Sequence, residues 1–319
     1  MGESTGADAP EQAPADVVAL VRSVPEWSTI ELAVRPLSGG ITNRNFRVDT
    51  GDGSYVVRLP GEHTELLGVD RAGEVEAARR AAALGIGPGV FGVLPGPGTV
   101  ITEFVEGIAL ADGAGLSSSG RLETVVDAVA SLHRSGPLAS AFPVFRVIER
   151  HAVDAVAHGV MLPDGHVELA ALMGRIEAVF VSLGDAPVAC HNDLLPSNVL
   201  FDGDRAWLID YEYAGMNHAM FDLANLSVNA GFDDPADDRL LDCYADDRPP
   251  DTWRAQLALM KVVSEMREGM WALVQQGVSS LAGFDFGRYA ADRLESCRTR
   301  SEAGGFTGLF AAAAPTAPR

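Results

Sequence analysis

Apolar and polar positions alternate along the first hundred residues as they do in strands, whereas the later part of the chain follows a helical period. Three alternating runs lie between residues 30 and 60, and they read IELAVRPL, NFRVDT and YVVRL. These runs predict β-strands, and the segment TGDGS between the last two is typical of a hairpin turn. Residues 69–84, rich in alanine and charge, predict a helix that ends at Gly85, and further strands are predicted near 89–94 and 99–104.

After residue 107 the apolar positions recur at the spacing of amphipathic helices. These helices are predicted at 117–135, 166–183, 253–278 and 287–300. The pattern predicts an α+β, bilobal protein, with a small β-rich N-lobe at 16–104 and a larger, mainly helical C-lobe at 105–305. The segment TEFVEG joins the lobes, and two lobes on a short hinge leave a cleft, a usual place for a small-molecule site. Residues 1–15 and 306–319 are rich in alanine and proline, which predicts a disordered N-terminal tail and a flexible C-terminal tail.

Composition and charge narrow the class of protein and of partner. Hydrophobic residues make up 47% of the 319 and charged residues 21%, which is typical of a folded globular chain. Lys and Arg number 24 against 44 Asp and Glu, a net charge of −20, which disfavours nucleic acid and anionic membrane as partners. A cationic small molecule is compatible with that charge, as is a simple need for solubility. No apolar run reaches the roughly 18 residues of a membrane span and no signal-peptide pattern begins the chain, so we expect a cytoplasmic protein.

The stretch CHNDLLPSNVLF, residues 190–201, places Asp193 and Asn198 with four residues between them, at the end of an apolar run. The following segment, VLFDGDRAWLID, predicts a hairpin that returns the chain so that Asp210 can face Asn198. Asn198 and Asp210 offer the oxygen ligands that Mg²⁺ prefers, and Asp193 stands free to accept a proton from a substrate hydroxyl. This is the layout of phosphoryl transfer, with a base in an H-x-D-x-x-x-x-N loop and a metal-binding aspartate after a hairpin. The HND triplet alone would also fit a capping turn, and only the whole spacing favours phosphoryl transfer.

A second group of residues, in the β-rich part, is suited to binding a nucleotide. The segment LSGGITN places two glycines between strands, where the backbone can approach phosphates closely. Arg58 on the next strand offers a permanent charge and a bidentate fork for phosphate, and Glu74 on the following helix can pair with it. An ordinary hairpin, an exposed arginine and a solvated glutamate would explain each feature singly, whereas their order favours the nucleotide site. The residues so predicted are Ser38, Gly39, Gly40, Thr42, Asn43, Arg58 and Glu74.

Polar and aromatic residues near the predicted metal site are candidates for contact with the second substrate. Glu212 and Tyr213 follow the metal-binding aspartate closely enough to reach metal or substrate. Glu268 and Trp271 share a helix face, and Trp271 with Tyr213 and Tyr289 could cage an ammonium group by cation–π attraction. Ordinary core packing is an equally open interpretation for these aromatic residues.

Two further polar residues are predicted to support the structure rather than to react. His191 is expected to order its loop through a hydrogen bond to the backbone, because the histidines lack metal-ligand spacing. Asp222 is expected to cap or anchor the helix that contains Asn225.

The segments CHNDLLPSNVLF, LIDYEYAGMN, FDLAN and MWALVQQGVSS…FDFGRYAADR together resemble the choline/ethanolamine kinase family. That family is a branch of the protein-kinase-like fold that also holds the aminoglycoside phosphotransferases, and the resemblance spans roughly residues 35–300. Arg58 in place of lysine is usual in choline kinases, and the EYAG-M-N segment after Asp210 is the most specific signal. The resemblance implies a bilobal kinase with ATP under the LSGGITN loop and with adenine near the backbone of Glu103 and Val105. It also implies that Asn198 and Asp210 hold Mg²⁺.

The same resemblance makes Asp193 the catalytic base. It also puts three residues where the family has its choline-binding aromatics, namely Tyr213, Trp271 and Tyr289. Two positions depart from the family, because Glu268 stands where choline kinases carry a second tryptophan and Asn229 where they carry an acid. A quaternary ammonium donates no hydrogen bond, whereas a primary amine can donate to Glu268, so ethanolamine or another amino alcohol is the resulting hypothesis.

The predicted function is that of an ATP- and Mg²⁺-dependent phosphotransferase that phosphorylates the hydroxyl of a small amino alcohol such as choline or ethanolamine. Within the same class, an antibiotic O-phosphotransferase, for an aminoglycoside or another natural product, stays open because the substrate positions depart from the family. In another class, a nucleotide-binding pseudokinase is disfavoured by the presence of the base and both metal ligands. The sequence leaves open whether the chain is a monomer or a homodimer, and which of Glu212, Glu265 and Glu268 contacts the substrate.

Overall fold

The computed structural model describes residues 13–37, 43–61, 63–94, 98–110, 113–117 and 120–314. The chain divides into two compact units. Of the described residues, the first unit comprises those up to Thr64 together with those of Pro88–Val105, and the second comprises those of Glu65–Gly87 and those from Glu106 onward. Among the described residues, no helix has both the length and the apolar character that crossing a bilayer requires.

The described part of the first unit is a five-stranded antiparallel sheet preceded by a short helix. The helix is α1 Ala15–Arg22, and the strands are β1 Leu32–Leu37, β2 Arg44–Thr50, β3 Ser54–Leu59, β4 Val90–Leu94 and β5 Thr99–Glu103, in the order β1-β2-β3-β5-β4. Side chains two apart on a strand share a face, so Phe46 and Val48 of β2 enter one apolar cluster with Val57 of β3. Trp27 and two valines of α1, Val17 and Val21, belong to the same cluster. The strands predicted from the alternating pattern are confirmed.

Helix α2, Arg71–Leu84, confirms the helix predicted from the alanine-rich segment. Gly85 ends it with a φ of 74°, a left-handed conformation that favours glycine. The sequence-based boundary put this helix in the N-lobe at 16–104, whereas its contacts belong to the second unit. Arg80, for example, donates to the carbonyl oxygen of Ser135 at 2.8 Å.

The second unit is mainly helical. Its elements after α2 are β6 Ile108–Ala109, α3 Ala114–Ser117, α4 Arg121–His133, α5 Val144–Ala157, α6 His166–Leu183, β7 Val188–Cys190, β8 Val199–Asp202, β9 Arg205–Leu208, β10 Gly215–Asn217, α7 Ala219–Ala230, α8 Asp234–Tyr244, α9 Trp253–Val278, α10 Phe286–Glu302 and α11 Phe306–Ala313. The strands pair in the orders β6-β8-β9 and β7-β10. Helix α9 packs against α5, α7, α10 and α11, so it is buried along most of its length. The four predicted helices correspond to α4, α6, α9 and α10 and are confirmed.

The C-terminal segment differs from its prediction. Residues 306–319 were expected to be a flexible tail, but 306–313 form α11. Phe306 and Ala313 are buried, and Gln256 of α9 donates to the carbonyl oxygen of Ala313 at 3.2 Å. The alanine-rich composition hid a short helix that α9 stabilises by packing. The predicted N-terminal tail lies almost entirely outside the described residues.

Candidate active site

The loop between β7 and β8 carries Asp193 and Asn198, and both side chains are buried. Nδ2 of Asn198 donates to the backbone oxygen of Asp193 at 3.0 Å and to its carboxylate Oδ2 at 3.2 Å. The predicted base and one predicted metal ligand are therefore in contact. Since the amide nitrogen of Asn198 makes these bonds, its amide oxygen is the atom that could hold a cation.

The hairpin after this loop brings Asp210 to the same place. Strands β8 and β9 pair with Val199 opposite Leu208, and the backbone nitrogen of Ile209 donates to the carbonyl oxygen of Asn198 at 3.0 Å. Asp210, the next residue, has a φ of 67°. This left-handed conformation costs a residue other than glycine about 1–2 kcal/mol and persists only where the surroundings impose it. Strained backbone of this kind clusters at functional sites.

The side chain of Asp222 of α7 binds the backbone of the loop. Its carboxylate accepts hydrogen bonds from the backbone nitrogens of His191 at 2.8 Å and Asn192 at 2.7 Å, and Nε2 of His133 lies 3.0 Å from it. The predicted anchoring role therefore acts on the loop rather than on the helix. Nε2 of His191 donates to the carbonyl oxygen of Ile209 at 2.9 Å, which confirms its predicted part in ordering the loop.

Three buried asparagines extend this network. Nδ2 of Asn192 donates to the carbonyl oxygen of Tyr213 at 2.9 Å, and its Oδ1 accepts from Asn217 at 2.8 Å. Oδ1 of Asn225 accepts from the backbone nitrogen of Leu194 at 2.6 Å. Because fully bonded polar networks in a buried setting are rigid, the loop is held on both sides of Asp193.

Asp193 is buried among several other charges. Burial raises its pKa, the guanidinium of Arg267 opposes the rise, and the carboxylates of Glu268, Asp210 and Glu212 add to it, so that the pKa stands at about 8. Carboxylates crowded away from water favour a cation among them. The oxygen donors of this loop and hairpin are those that Mg²⁺ prefers, so the chemistry of the donor set fits that ion.

The residues predicted to meet the substrate lie together. Nε1 of Trp271 donates to the hydroxyl of Tyr213 at 3.0 Å, and the hydroxyl of Tyr289 donates to Oε2 of Glu268 at 3.2 Å. The rings of Trp271 and Tyr289 meet edge to face, with centroids 6.3 Å apart. Glu212 is buried as well. The structure thus brings three aromatic residues and a glutamate into one cluster on α9, α10 and the segment after Asp210.

Arg267 of α9 belongs to this cluster, and sequence reasoning missed it. Its side chain is fully buried, with Nη1 3.4 Å from Oδ1 of Asp193 and hydrogen-bonded to Oε1 of Glu268. Its guanidinium carbon lies 4.4 Å from the centroid of the Tyr213 ring. Burial alone would lower the pKa of Arg267, but the neighbouring carboxylates raise it above its usual value. The available signal was an adjacent arginine and glutamate within a helix that is otherwise apolar on most sides.

Glu74, the predicted partner of Arg58, is buried in the first turn of α2. Its Oε2 accepts from Nη1 of Arg71 at 2.6 Å, and the same Nη1 lies 3.8 Å from Oε2 of Glu212. Arg71 therefore connects α2 to the segment after Asp210. The pairing of Glu74 with Arg58 stays a prediction.

The residues predicted to bind the nucleotide fall partly beyond the described ones. Ser38, Gly39, Gly40 and Thr42 lie outside the residues that the structure describes. Asn43 is buried just before β2, and Arg58 is half-buried on β3, opposite Val100 of β5. Glu103 is exposed at the end of β5 and Val105 is half-buried two residues later. Their contacts with ATP stay predictions.

Comparison with known proteins identifies relatives over most of the chain. The sequence matches the phosphotransferase enzyme family over residues 33–256. Protein LicA of Haemophilus influenzae is 29% identical over 266 residues, which cover 81% of this chain and 77% of that protein. Ethanolamine kinase 2 of Mus musculus is 29% identical over 310 residues, which cover 86% of this chain and 78% of that protein.

Solved structures give a similar result. A choline/ethanolamine kinase family protein from Mesorhizobium loti superposes with a TM-score of 0.80 at 28% identity, covering 93% of this chain and 98% of that chain. Choline kinase LicA from Streptococcus pneumoniae superposes with a TM-score of 0.74 at 23% identity, covering 90% and 99%. At this lower identity, the similarity to the Streptococcus pneumoniae structure shows that the two chains share a fold.

Proposed function

Because the chain belongs to the phosphotransferase enzyme family, we propose that it transfers the γ-phosphoryl group of ATP, with Mg²⁺, to the hydroxyl of a small amine-bearing alcohol. The family and the kinases among its relatives confirm the predicted class of small-molecule kinase, and the solved relatives confirm the protein-kinase-like fold. One observation supports the proposed roles of the base and the metal ligands. Asn198 bonds to Asp193 beside a strained Asp210, which supports a base and two metal ligands at one point.

In the proposed reaction the substrate hydroxyl lies within hydrogen-bond reach of Asp193. Its oxygen bonds to the γ-phosphorus while the bond to the β–γ bridging oxygen breaks, the proton passes to the Asp193 carboxylate, and ADP leaves. Asn198 and Asp210 would hold Mg²⁺, which would neutralise charge at the phosphates. The contribution of the chain itself is positioning, because the network around Asp222 keeps the base in a fixed place.

The charge of the site supports an amine on the substrate. Glu212 and Glu268 are buried near the base, with Arg71 and Arg267 beside them, and an ammonium group would add positive charge among the carboxylates of this site. Arg267 already lies over the Tyr213 ring, so the protein itself makes a cation–π contact that a quaternary ammonium would need. A primary ammonium can instead donate hydrogen bonds to a carboxylate. We therefore expect ethanolamine-type alcohols to be better substrates than choline.

A substrate panel tests this function. Choline, ethanolamine, 3-amino-1-propanol and an aminoglycoside are incubated with MgATP, and the phosphorylated product is identified by mass spectrometry. Asp193→Ala is expected to lower kcat by about 10²–10⁴-fold, since it removes the general base. Arg254→Leu is the matched control. Arg254 lies on α9, as do Glu268 and Trp271, but its side chain makes an exposed ion pair with Asp238 of α8.

Each alternative has its own outcome. Full activity in Asp193→Ala would mean that another group is the base. Phosphorylation of the aminoglycoside alone would favour the antibiotic phosphotransferase. Tight binding of MgATP without turnover of any alcohol would favour the pseudokinase.

A further inference from the structure

Arg267 is 1% exposed, yet two of its three side-chain nitrogens have no hydrogen-bond partner among the described residues. Nη1 makes the contacts to Asp193 and Glu268, whereas Nε and Nη2 make none. Leaving a buried donor unpaired destabilises the fold, and the cost is larger when the donor is charged. A native fold that keeps such a group calls for a partner that the protein alone does not supply.

The two unpaired nitrogens of Arg267 lie on the same edge of the guanidinium plane. Nε and Nη2 carry N–H bonds that point in nearly the same direction and form a fork. Such a fork matches the two oxygens of a carboxylate, which arginine then binds bidentately. The contacts of Nη1 leave this edge of the group unused.

The guanidinium of Arg267 lies among the residues that are predicted to meet the acceptor substrate. Asp193 must come within about 2.6–3.2 Å of the substrate hydroxyl to accept its proton, and Nη1 of Arg267 is 3.4 Å from the same carboxylate. The Arg267 guanidinium therefore lies next to the carboxylate that the substrate hydroxyl must meet. The guanidinium also lies against Tyr213 and bonds to Glu268, two residues predicted to meet the acceptor.

We propose that Arg267 is a specificity-determining residue that binds a carboxylate of the alcohol to be phosphorylated. This inference rests on the proposed function and narrows its substrate class to alcohols that carry both an amine and a carboxylate, of which hydroxy amino acids are the simplest. The hydroxyl faces Asp193, the ammonium faces Glu212 and Glu268, and the carboxylate meets the Nε–Nη2 fork. A site that bonds a substrate group in this way discriminates against analogues that lack it, because its own buried donors are then left unpaired.

The transferred phosphoryl group offers oxygens of similar chemistry and is the competing occupant of the fork. The surroundings of Arg267 favour the acceptor substrate, since they include Tyr213, Glu268 and, at 5.6 Å, the ring of Phe142. The two occupants predict different kinetic effects. Loss of a carboxylate site changes discrimination between alcohols, and loss of a phosphoryl site changes the KM for MgATP.

Two matched pairs of alcohols test the proposal. L-serine differs from ethanolamine, and L-homoserine from 3-amino-1-propanol, only by a carboxylate on the carbon that bears the amine. The wild type is expected to show at least a tenfold higher kcat/KM for the carboxylated member of one pair. In Arg267→Leu that preference is expected to fall to about one, and Arg267→Lys, which keeps the charge but loses the fork, is expected to lie between.

Two further variants separate recognition from folding. Arg267→Leu leaves the Glu268 carboxylate without its cation, so the double variant Arg267→Leu/Glu268→Gln removes both charges of the pair and is expected to show the same loss of preference. Arg254→Leu on the same helix is expected to keep the wild-type preference. Thermal unfolding of each variant shows that it is folded.

The outcomes distinguish this inference from the proposed function. If ethanolamine is phosphorylated but a carboxylate brings no gain, or if Arg267→Leu raises only the KM for MgATP, the inference is overturned while the function stands. If no alcohol is phosphorylated, the proposed function fails. The inference is then tested by calorimetry, which measures binding of the hydroxy amino acids to enzyme loaded with Mg²⁺ and a non-hydrolysable ATP analogue. Binding of L-serine or L-homoserine that is lost in Arg267→Leu supports the inference, and no binding to the wild type overturns it.

Discussion

Replacing Asp222 by asparagine tests whether this one side chain holds the loop that carries Asp193. The carboxylate oxygens accept from the backbone nitrogens of His191 and Asn192 at 2.8 and 2.7 Å, and Asp222 is fully buried. An amide of the same shape keeps one oxygen and replaces the other by an NH₂ group. One of the two backbone N–H groups then faces a donor and loses its partner.

The magnitude follows from these two bonds. A hydrogen bond to a charged group contributes about 1.5–3 kcal/mol, and a buried donor without a partner costs about 1–3 kcal/mol. The substitution weakens one bond and removes the other, so we expect the free energy of unfolding to fall by about 2–5 kcal/mol. This is a large part of the roughly 5–15 kcal/mol of a typical protein. Since the loop carries Asp193, a shift of about 1 Å would lower kcat by roughly 10²-fold.

Urea unfolding and kcat, measured on the same preparations, check both numbers. Asp237→Asn is the matched control, because Asp237 is a buried aspartate of α8 that pairs with Lys261 at 2.6 Å and lies outside the loop network. We expect the control to lose stability while its folded fraction keeps the wild-type kcat. A free energy of unfolding within about 0.5 kcal/mol of the wild type would refute the account for Asp222. Lost stability with unchanged kcat would mean that the loop stays aligned without it.

Four other substitutions, in two matched pairs, probe the second unit. Burial, helped by the charge of Arg267, lowers the pKa of His151 from 6.5 to about 3, so between these values the unfolded chain binds one more proton than the folded protein. The stabilisation from this group is fully present above pH 6.5, and below it the free energy of unfolding falls by about 1.4 kcal/mol per pH unit. Measuring the free energy of unfolding as the pH is lowered should show that His151→Gln removes this slope. The control His158→Gln, at an exposed position, should keep it. A methyl group at Gly269 would lie 2.6 Å from Cγ of Leu294, so Gly269→Ala should lower the free energy of unfolding by about 1 kcal/mol, the overpacking cost exceeding the gain in helix propensity. Gly174→Ala, in a helix with open space around the new methyl group, should instead raise the free energy of unfolding by about 0.5–1 kcal/mol. Equal effects of the two glycine variants in thermal unfolding would contradict the packing argument.

Features encoded over short stretches could be predicted from the sequence. The alternating runs and the helical periods gave the strands of the first unit and the long helices of the second, because both depend on which positions can face a core. Asp193 and Asn198 are five positions apart in one loop, and a hairpin brings the chain back beside Asn198 at Ile209. The assignment of α2 to the second unit was missed, since its contacts depend on residues more than fifty positions away.

The sequence by itself determined the kinase class and the α+β fold, and it predicted the residues of the loop that carries Asp193, because spacing and turn chemistry act between near neighbours in the chain. Only the tertiary structure decided what surrounds that loop. Arg267 meets Asp193 across 74 residues and His133 meets Asp222 across 89, and these contacts depend on how α9, α4 and α7 are rotated and packed. No local pattern records that rotation, because it is set by the fit of whole helix surfaces to one another.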